Sequence, residues 1–138
     1  MKKLLLLLTL TTFIFSCKDK DKKDPEPAPE LSTRVEGSYK ATKLTMDGED
    51  QPLINGRSIT MVFSKSTASE VTGIMKYTTE DGDSGAEDLG KVILKDKGDK
   101  GIDLYDGSEK VGNVSNANIL TVSVFSDGSQ IDIIATKK

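Results

Sequence analysis

The sequence predicts an all-β domain, and three observations predict it. From about residue 31 to the C-terminus, apolar and polar residues alternate in short runs, the period of a half-buried strand. Clusters of Gly, Asp, Asn and Ser break these runs at intervals of roughly 8–13 residues, as turns do. Beyond the N-terminal apolar stretch, no window of about 11 residues holds the i, i+3, i+4, i+7 spacing of an amphipathic helix. Eight such runs in a chain of 138 residues fit a small antiparallel barrel or, alternatively, a β-sandwich.

The first run, residues 35–46, puts Val35, Gly37, Tyr39 and Ala41 on one face and Glu36, Ser38, Lys40 and Thr42 on the other. Leu44 and Met46 fall out of phase, which predicts a bulge near residues 42–43. Residues 58–64 turn Ile59, Met61 and Phe63 inward, and residues 71–78 turn Val71, Met75 and Tyr77 inward. Shorter runs follow at 91–95, 101–105 and 110–114, carrying Val92, Leu94, Ile102 and Leu104. The two closing runs, 119–125 and 130–136, flank Ser126-Asp127-Gly128-Ser129, a hairpin signal. The turns carry the charge, as in Glu80-Asp81-Gly82-Asp83 and Asp106-Gly107, which keeps hairpin ends solvated.

The N-terminus reads as an address rather than as structure. Lys2 and Lys3 precede an apolar run over residues 4–16. As a helix that run would span about 20 Å, short of the roughly 30 Å hydrocarbon core, so a cleaved leader is preferred to a membrane span. It ends Ile14-Phe15-Ser16-Cys17, which resembles a bacterial lipoprotein signal box. The resemblance implies a signal peptide over 1–16, diacylglycerol on the Cys17 thiol and palmitate-type acylation of the new amino group. At about 0.8 kcal/mol per buried CH₂, several acyl chains make a stable anchor. The plainer alternative is a buried thiol behind an ordinary signal peptide.

Residues 17–32 are expected to form a tether. Residues 18–30 read KDKDKKDPEPAPE, with three of the four prolines and nothing apolar enough to dock on a core. Extended at about 3 Å per residue, the segment reaches up to ~40 Å. Its opening, Lys18-Asp19-Lys20-Asp21, is similar to the export signal of Bacteroidota surface lipoproteins. Outer-membrane attachment, on the cell surface or the periplasmic face, is the expected location. The folded domain is expected over 33–138.

Composition removes several function classes. There is no His, no Trp and one Cys, so His-dependent triads, His-ligated metals and intramolecular disulfides are excluded. The balance of 19 basic to 22 acidic residues becomes more acidic once Lys2 and Lys3 leave, which disfavours nucleic acid. Residues 81–88 alternate carboxylates in the outline of a cation loop, but lack the ligand spacing to a terminal bidentate Glu, so a solvated turn is expected and no metal site is assigned. The acids sit in turns, with nothing apolar to raise a pKa for glycosidase chemistry. Lys76 beside Ser58 or Ser64 belongs to no motif, and Asn113-Val114-Ser115 matches a glycosylation tripeptide, which the bacterial source implied by the leader's resemblance usually leaves without meaning. No catalytic residue and no cofactor are expected.

The chain resembles the small lipocalin-like lipoproteins of Bacteroidota. Gly37-Ser38-Tyr39 stands where lipocalins place Gly-x-Trp, with Tyr39 in place of the Trp, and is followed by Ala41-Thr42-Lys43-Leu44 and Asp47-Gly48. An acidic-turn meander leads to the closing hairpin from Asn118-Ile119-Leu120-Thr121 through Asp127-Gly128 to Ile131-Asp132-Ile133. The resemblance implies an eight-stranded up-and-down barrel and a small hydrophobic ligand. Tyr39, Met61, Phe63, Met75 and Tyr77 converge if the second and third runs pair, and are the candidate ligand-lining residues, an ordinary core being the alternative. Two functions follow: a non-catalytic anchored ligand binder, or an accessory envelope protein that engages a partner protein through its β-surface or loops. A barrel this small holds packed side chains or one ligand, so the state of its interior separates them.

Overall fold

The computed structural model describes residues 27–138. Cys17, the leader and the tether up to residue 26 lie outside the described residues. A short helix α1 (Leu31–Val35) leads into β1 (Gly37–Met46) and the two-residue β2 (Glu49–Asp50). There follow β3 (Ser58–Thr67), β4 (Glu70–Thr78), β5 (Ser84–Asp96) and a single 3-10 turn at Gly98–Lys100. The chain ends with β6 (Ile102–Asp106), β7 (Glu109–Val114), β8 (Ile119–Ser126) and β9 (Ser129–Lys137).

Every strand pairs antiparallel with its neighbour in sequence from β3 to β9, and β1 pairs with both β3 and β9. The result is a closed eight-stranded up-and-down barrel, with β2 folded back on β1 as an extra strand. Closure removes most sheet edges, the usual liability of an all-β chain. It also explains the inward set: Tyr39, Met61, Phe63, Val71, Val92, Leu94, Ile102, Leu104, Leu120, Ile133 and Ala135 form one buried cluster. The predicted bulge is present, as a register shift between Ala41 and Lys43 against β9. The extra residue, Thr42, donates its hydroxyl to the Ile134 carbonyl at 3.2 Å, and the shift returns Leu44 to the inner face opposite Ile133.

Two hairpins use the turn that strand twist favours. Asp47-Gly48 and Asp127-Gly128 both have positive φ (51° and 84°, 51° and 83°), the requirement of a type I′ connection. The Asp47 side chain also accepts from the Gln130 N–H at 2.8 Å, fixing the β1–β2 turn to the start of β9.

The structure corrects the alternation reading in two places. Val35 is not in a strand: it ends α1, because the chain turns at Gly37, whose φ of 133° lies outside the range L side chains favour. The helix begins at Leu31 and buries Ser32 completely, so packed structure starts before the expected tether boundary at residue 32. The second correction concerns β5, which begins at Ser84 rather than at residue 91. Ser84-Gly85-Ala86-Glu87-Asp88 has turn-like composition, yet β4 pairs with it residue by residue from Thr78 to Ile74.

α1 lies across one end of the barrel and is tied to its rim. Ser32 N–H donates to the Ala68 carbonyl at 3.1 Å, and Lys137 Nζ donates to the Arg34 carbonyl at 3.0 Å. Arg34 itself donates to Asn116 Oδ1 at 3.1 Å and faces Asp96 at 3.8 Å. The opposite end, ringed by the β1–β2, β4–β5, β6–β7 and β8–β9 turns, has no helix across it among the described residues.

Candidate functional site

The five residues expected to line a cavity do all face inward, but the barrel divides them. β3 and β4 pair in the register that brings them together: Met61 opposite Met75, Ile59 opposite Tyr77, and Phe63 opposite Gly73. β1 adds Tyr39 opposite Met61. Tyr39, Met61 and Phe63 are at most 3% exposed, toward the end that α1 closes. The Tyr39 and Phe63 rings meet edge to face, centroids 5.8 Å apart and planes at 73°. Gly73 leaves room for Phe63, whose ring would touch a Cβ there at 3.0 Å. The Tyr39 hydroxyl donates to the Val35 carbonyl at 2.8 Å, and Lys137 Nζ stands 5.7 Å from its ring. Burial pushes the Tyr39 phenol up to about 12, so it stays neutral.

Met75 and Tyr77 lie toward the unplugged end and are half-buried. Tyr77 lies across Gly85 on β5, where a Cβ would collide with the ring; the glycine admits the aromatic. Leu44, Leu53, Ile59, Val124 and Ile131 are also partly buried against the core, and Met46, opposite Ile131, is 40% exposed. This end therefore carries a partly buried apolar layer, with the exposed Glu87 opposite Met75 at its margin, while the other half of the lumen is filled.

Among the described residues, three surface clefts stand out, and none of these three is lined by Tyr39, Met61, Phe63 or Met75. The first, about 310 Å³, lies beside α1 between Arg34, Lys137, Asn116 and Asn118. A second, about 460 Å³, runs over the outer face of β3, β4 and β5, between Ser58, Thr60, Lys76, Thr78 and Ser84, with Tyr77 at its floor. The third, about 410 Å³, lies where Gln51, Pro52 and Leu53 fold against Thr42 and Leu44. Lys76 and Ser58 thus share the outer cleft, whereas Ser64 pairs with Thr72 further along β3.

The chain matches no family model, no curated protein and no solved structure.

The main polar group on the barrel wall was not legible in the sequence. Asp103, on the outer face of β6, is only 5% exposed and accepts from Lys110 Nζ at 2.8 Å and from Asn113 Nδ2 at 3.0 Å, with Lys97 at 3.9 Å. Burial alone would raise its carboxyl, but these hydrogen bonds and the two lysine charges outweigh that and hold it below the usual range. Asp132 is likewise held low, by hydrogen bonds from Ser123, Gln130 and Thr45. These are wall-stapling networks: each joins neighbouring strands of the barrel.

The carboxylates of residues 81–88 are spread over a turn and a strand. Asp81 and Asp83 sit in the β4–β5 turn, while Glu87 and Asp88 stand on β5, where Asp88 accepts from the Gly90 N–H at 2.8 Å. Among the described residues no group of three or more such side chains is placed to hold a metal ion.

Proposed function

We propose that this chain is a non-catalytic, lipid-anchored outer-membrane lipoprotein whose rigid β-barrel engages a partner protein of the envelope. The observation that carries the reading is the packed half of the lumen: Tyr39, Met61 and Phe63 are buried against one another at the α1 end, in space that a ligand would otherwise occupy. What the barrel offers instead is its outside, with polar clefts and hairpin ends. The anchor rests on Cys17 and the residues before it, and the lipocalin-like lipoproteins of Bacteroidota supply the analogy.

Native mass spectrometry of the protein isolated from its own host tests the reading. A persistent protein partner supports it, and a bound hydrophobic small molecule overturns it. Labelling cells with an alkyne fatty acid tests the anchor, since undiminished label on a Cys17→Ala chain would remove it from the proposal.

A second reading, a carrier for a small hydrophobic ligand, is favoured by the half-buried Ile59, Met75, Val124 and Ile131 toward the unplugged end. It requires a ligand to sit on that layer rather than inside the barrel.

A further inference from the structure

We propose that the free edge of β5, from Ser84 to Asp88, is the docking site for an extended, basic segment of a partner protein, which adds to the barrel as a further strand. This deepens the reading above and rests on it. β5 is the longest strand, with 13 residues, and its two sides are unequally used. Toward β4 it pairs from Ser84 to Ile93, but toward β6 only from Ile93 to Asp96. β6 ends at Asp106, so the first nine positions of β5 have no strand beside them on that side. At about 3.3 Å per residue, that is roughly 30 Å of edge. Outside the β4 ladder these positions make no backbone–backbone hydrogen bond among the described residues. Half the N–H and C=O groups of a strand paired on one side point away from its partner, so this edge is a ready template for one more strand.

The charge beside the edge chooses the occupant. Asp81, Asp83, Glu87 and Asp88 form no ion pair among the described residues, whereas Glu70 and Glu80 nearby are paired with Lys91 and Arg57. A second copy of the chain would bring the same carboxylates against these and be repelled, while a basic strand would satisfy them. The bulge at Gly90, held by Asp88, ends the regular template, so about five residues are read.

The test uses the purified full-length chain in detergent with a synthetic peptide of about eight residues alternating lysine and valine, long enough to cover the template. The expected result is saturable binding that slows amide exchange from Ser84 to Asp88 and weakens as salt rises. The double substitution Asp83→Lys with Glu87→Lys, at exposed positions, should weaken binding by roughly tenfold or more while leaving the barrel's thermal unfolding in place. Equal binding of a lysine–proline peptide, which carries the charge but cannot pair as a strand, would overturn the proposal. So would unchanged affinity of the double variant, protection elsewhere on the barrel, or no binding. If native mass spectrometry finds a partner and the peptide fails, the edge is wrong and the accessory reading stands. If the peptide docks and no partner exists, the reverse holds.

Discussion

The hydroxyl of Tyr39 donates to the carbonyl of Val35 at 2.8 Å, and both residues are completely buried. The bond joins the first strand of the barrel to the helix that closes it, across the turn at Gly37. Tyr39→Phe leaves the carbonyl unsatisfied and should cost about 1–3 kcal/mol. It should also change the alkaline limb. Burial raises this phenol from 10.0 to about 12, so its contribution is complete below pH 10 and is lost as pH rises toward about 12. In denaturant unfolding, the gap between wild type and Tyr39→Phe should therefore narrow over that window. Parallel curves would refute the assignment.

Met61 is 1% exposed and sits between Tyr39 and Met75 in the strand register. Met61→Ala should cost about 2–5 kcal/mol, the cost of a cavity in a packed core. A loss below about 1 kcal/mol would mean that the lumen is not filled at this level, and would favour the ligand-carrier reading.

Acid sensitivity should be read at Asp103. Its carboxyl is held low, so it adds stability above the ordinary carboxylate value of about 3.9 and gives it up as pH falls through its own lower value. Comparison of wild type with Asp103→Asn by chemical denaturation should show a difference that is constant at neutral pH and shrinks below about pH 4. A difference that grows on acidification would reverse the sign and overturn the account.

Glycines at positive φ separate strain from collision. At Gly101, φ is 91° and a Cβ would strike the Val114 carbonyl and the backbone of Ser115; at Gly107, φ is 56° and a Cβ would meet nothing within 4 Å. Gly107→Ala should therefore cost about 1 kcal/mol, and Gly101→Ala roughly 2 kcal/mol or more. Equal melting temperatures for the two variants would contradict the packing at Gly101.

Ser32 is the one buried side chain whose oxygen lacks a hydrogen-bond partner among the described residues. Removing that oxygen with Ser32→Ala should leave stability unchanged or raise it by about 1 kcal/mol. A marked loss would show that the hydroxyl has a partner.

Alternation was the dependable signal. Ile59, Met61 and Phe63, or Leu120, Val122 and Val124, could belong to nothing but a strand with one buried face, because side chains on a pleated backbone point alternately to its two sides. The hairpin at Asp127-Gly128 and the bulge near Thr42 were legible for equally local reasons: positive φ at the turn, and a phase slip in the pattern. The first seven residues of β5 were not legible. Glycines and carboxylates have little preference for a strand, and only the β4 partner makes Ser84 to Gly90 one.

The sequence by itself determined the all-β class, the position of most of the strands, which of their faces are apolar, and a composition that is acidic and without histidine. These are properties of single residues and of spacing along one chain. The tertiary structure alone decided that Tyr39, Met61 and Phe63 are buried together toward the end that α1 covers, that Asp103 is stapled by Lys110, and that β5 outruns β6 and leaves an open edge. Each of these depends on how far strands slide past one another before the barrel closes, and that stagger is set by many side chains packing at once.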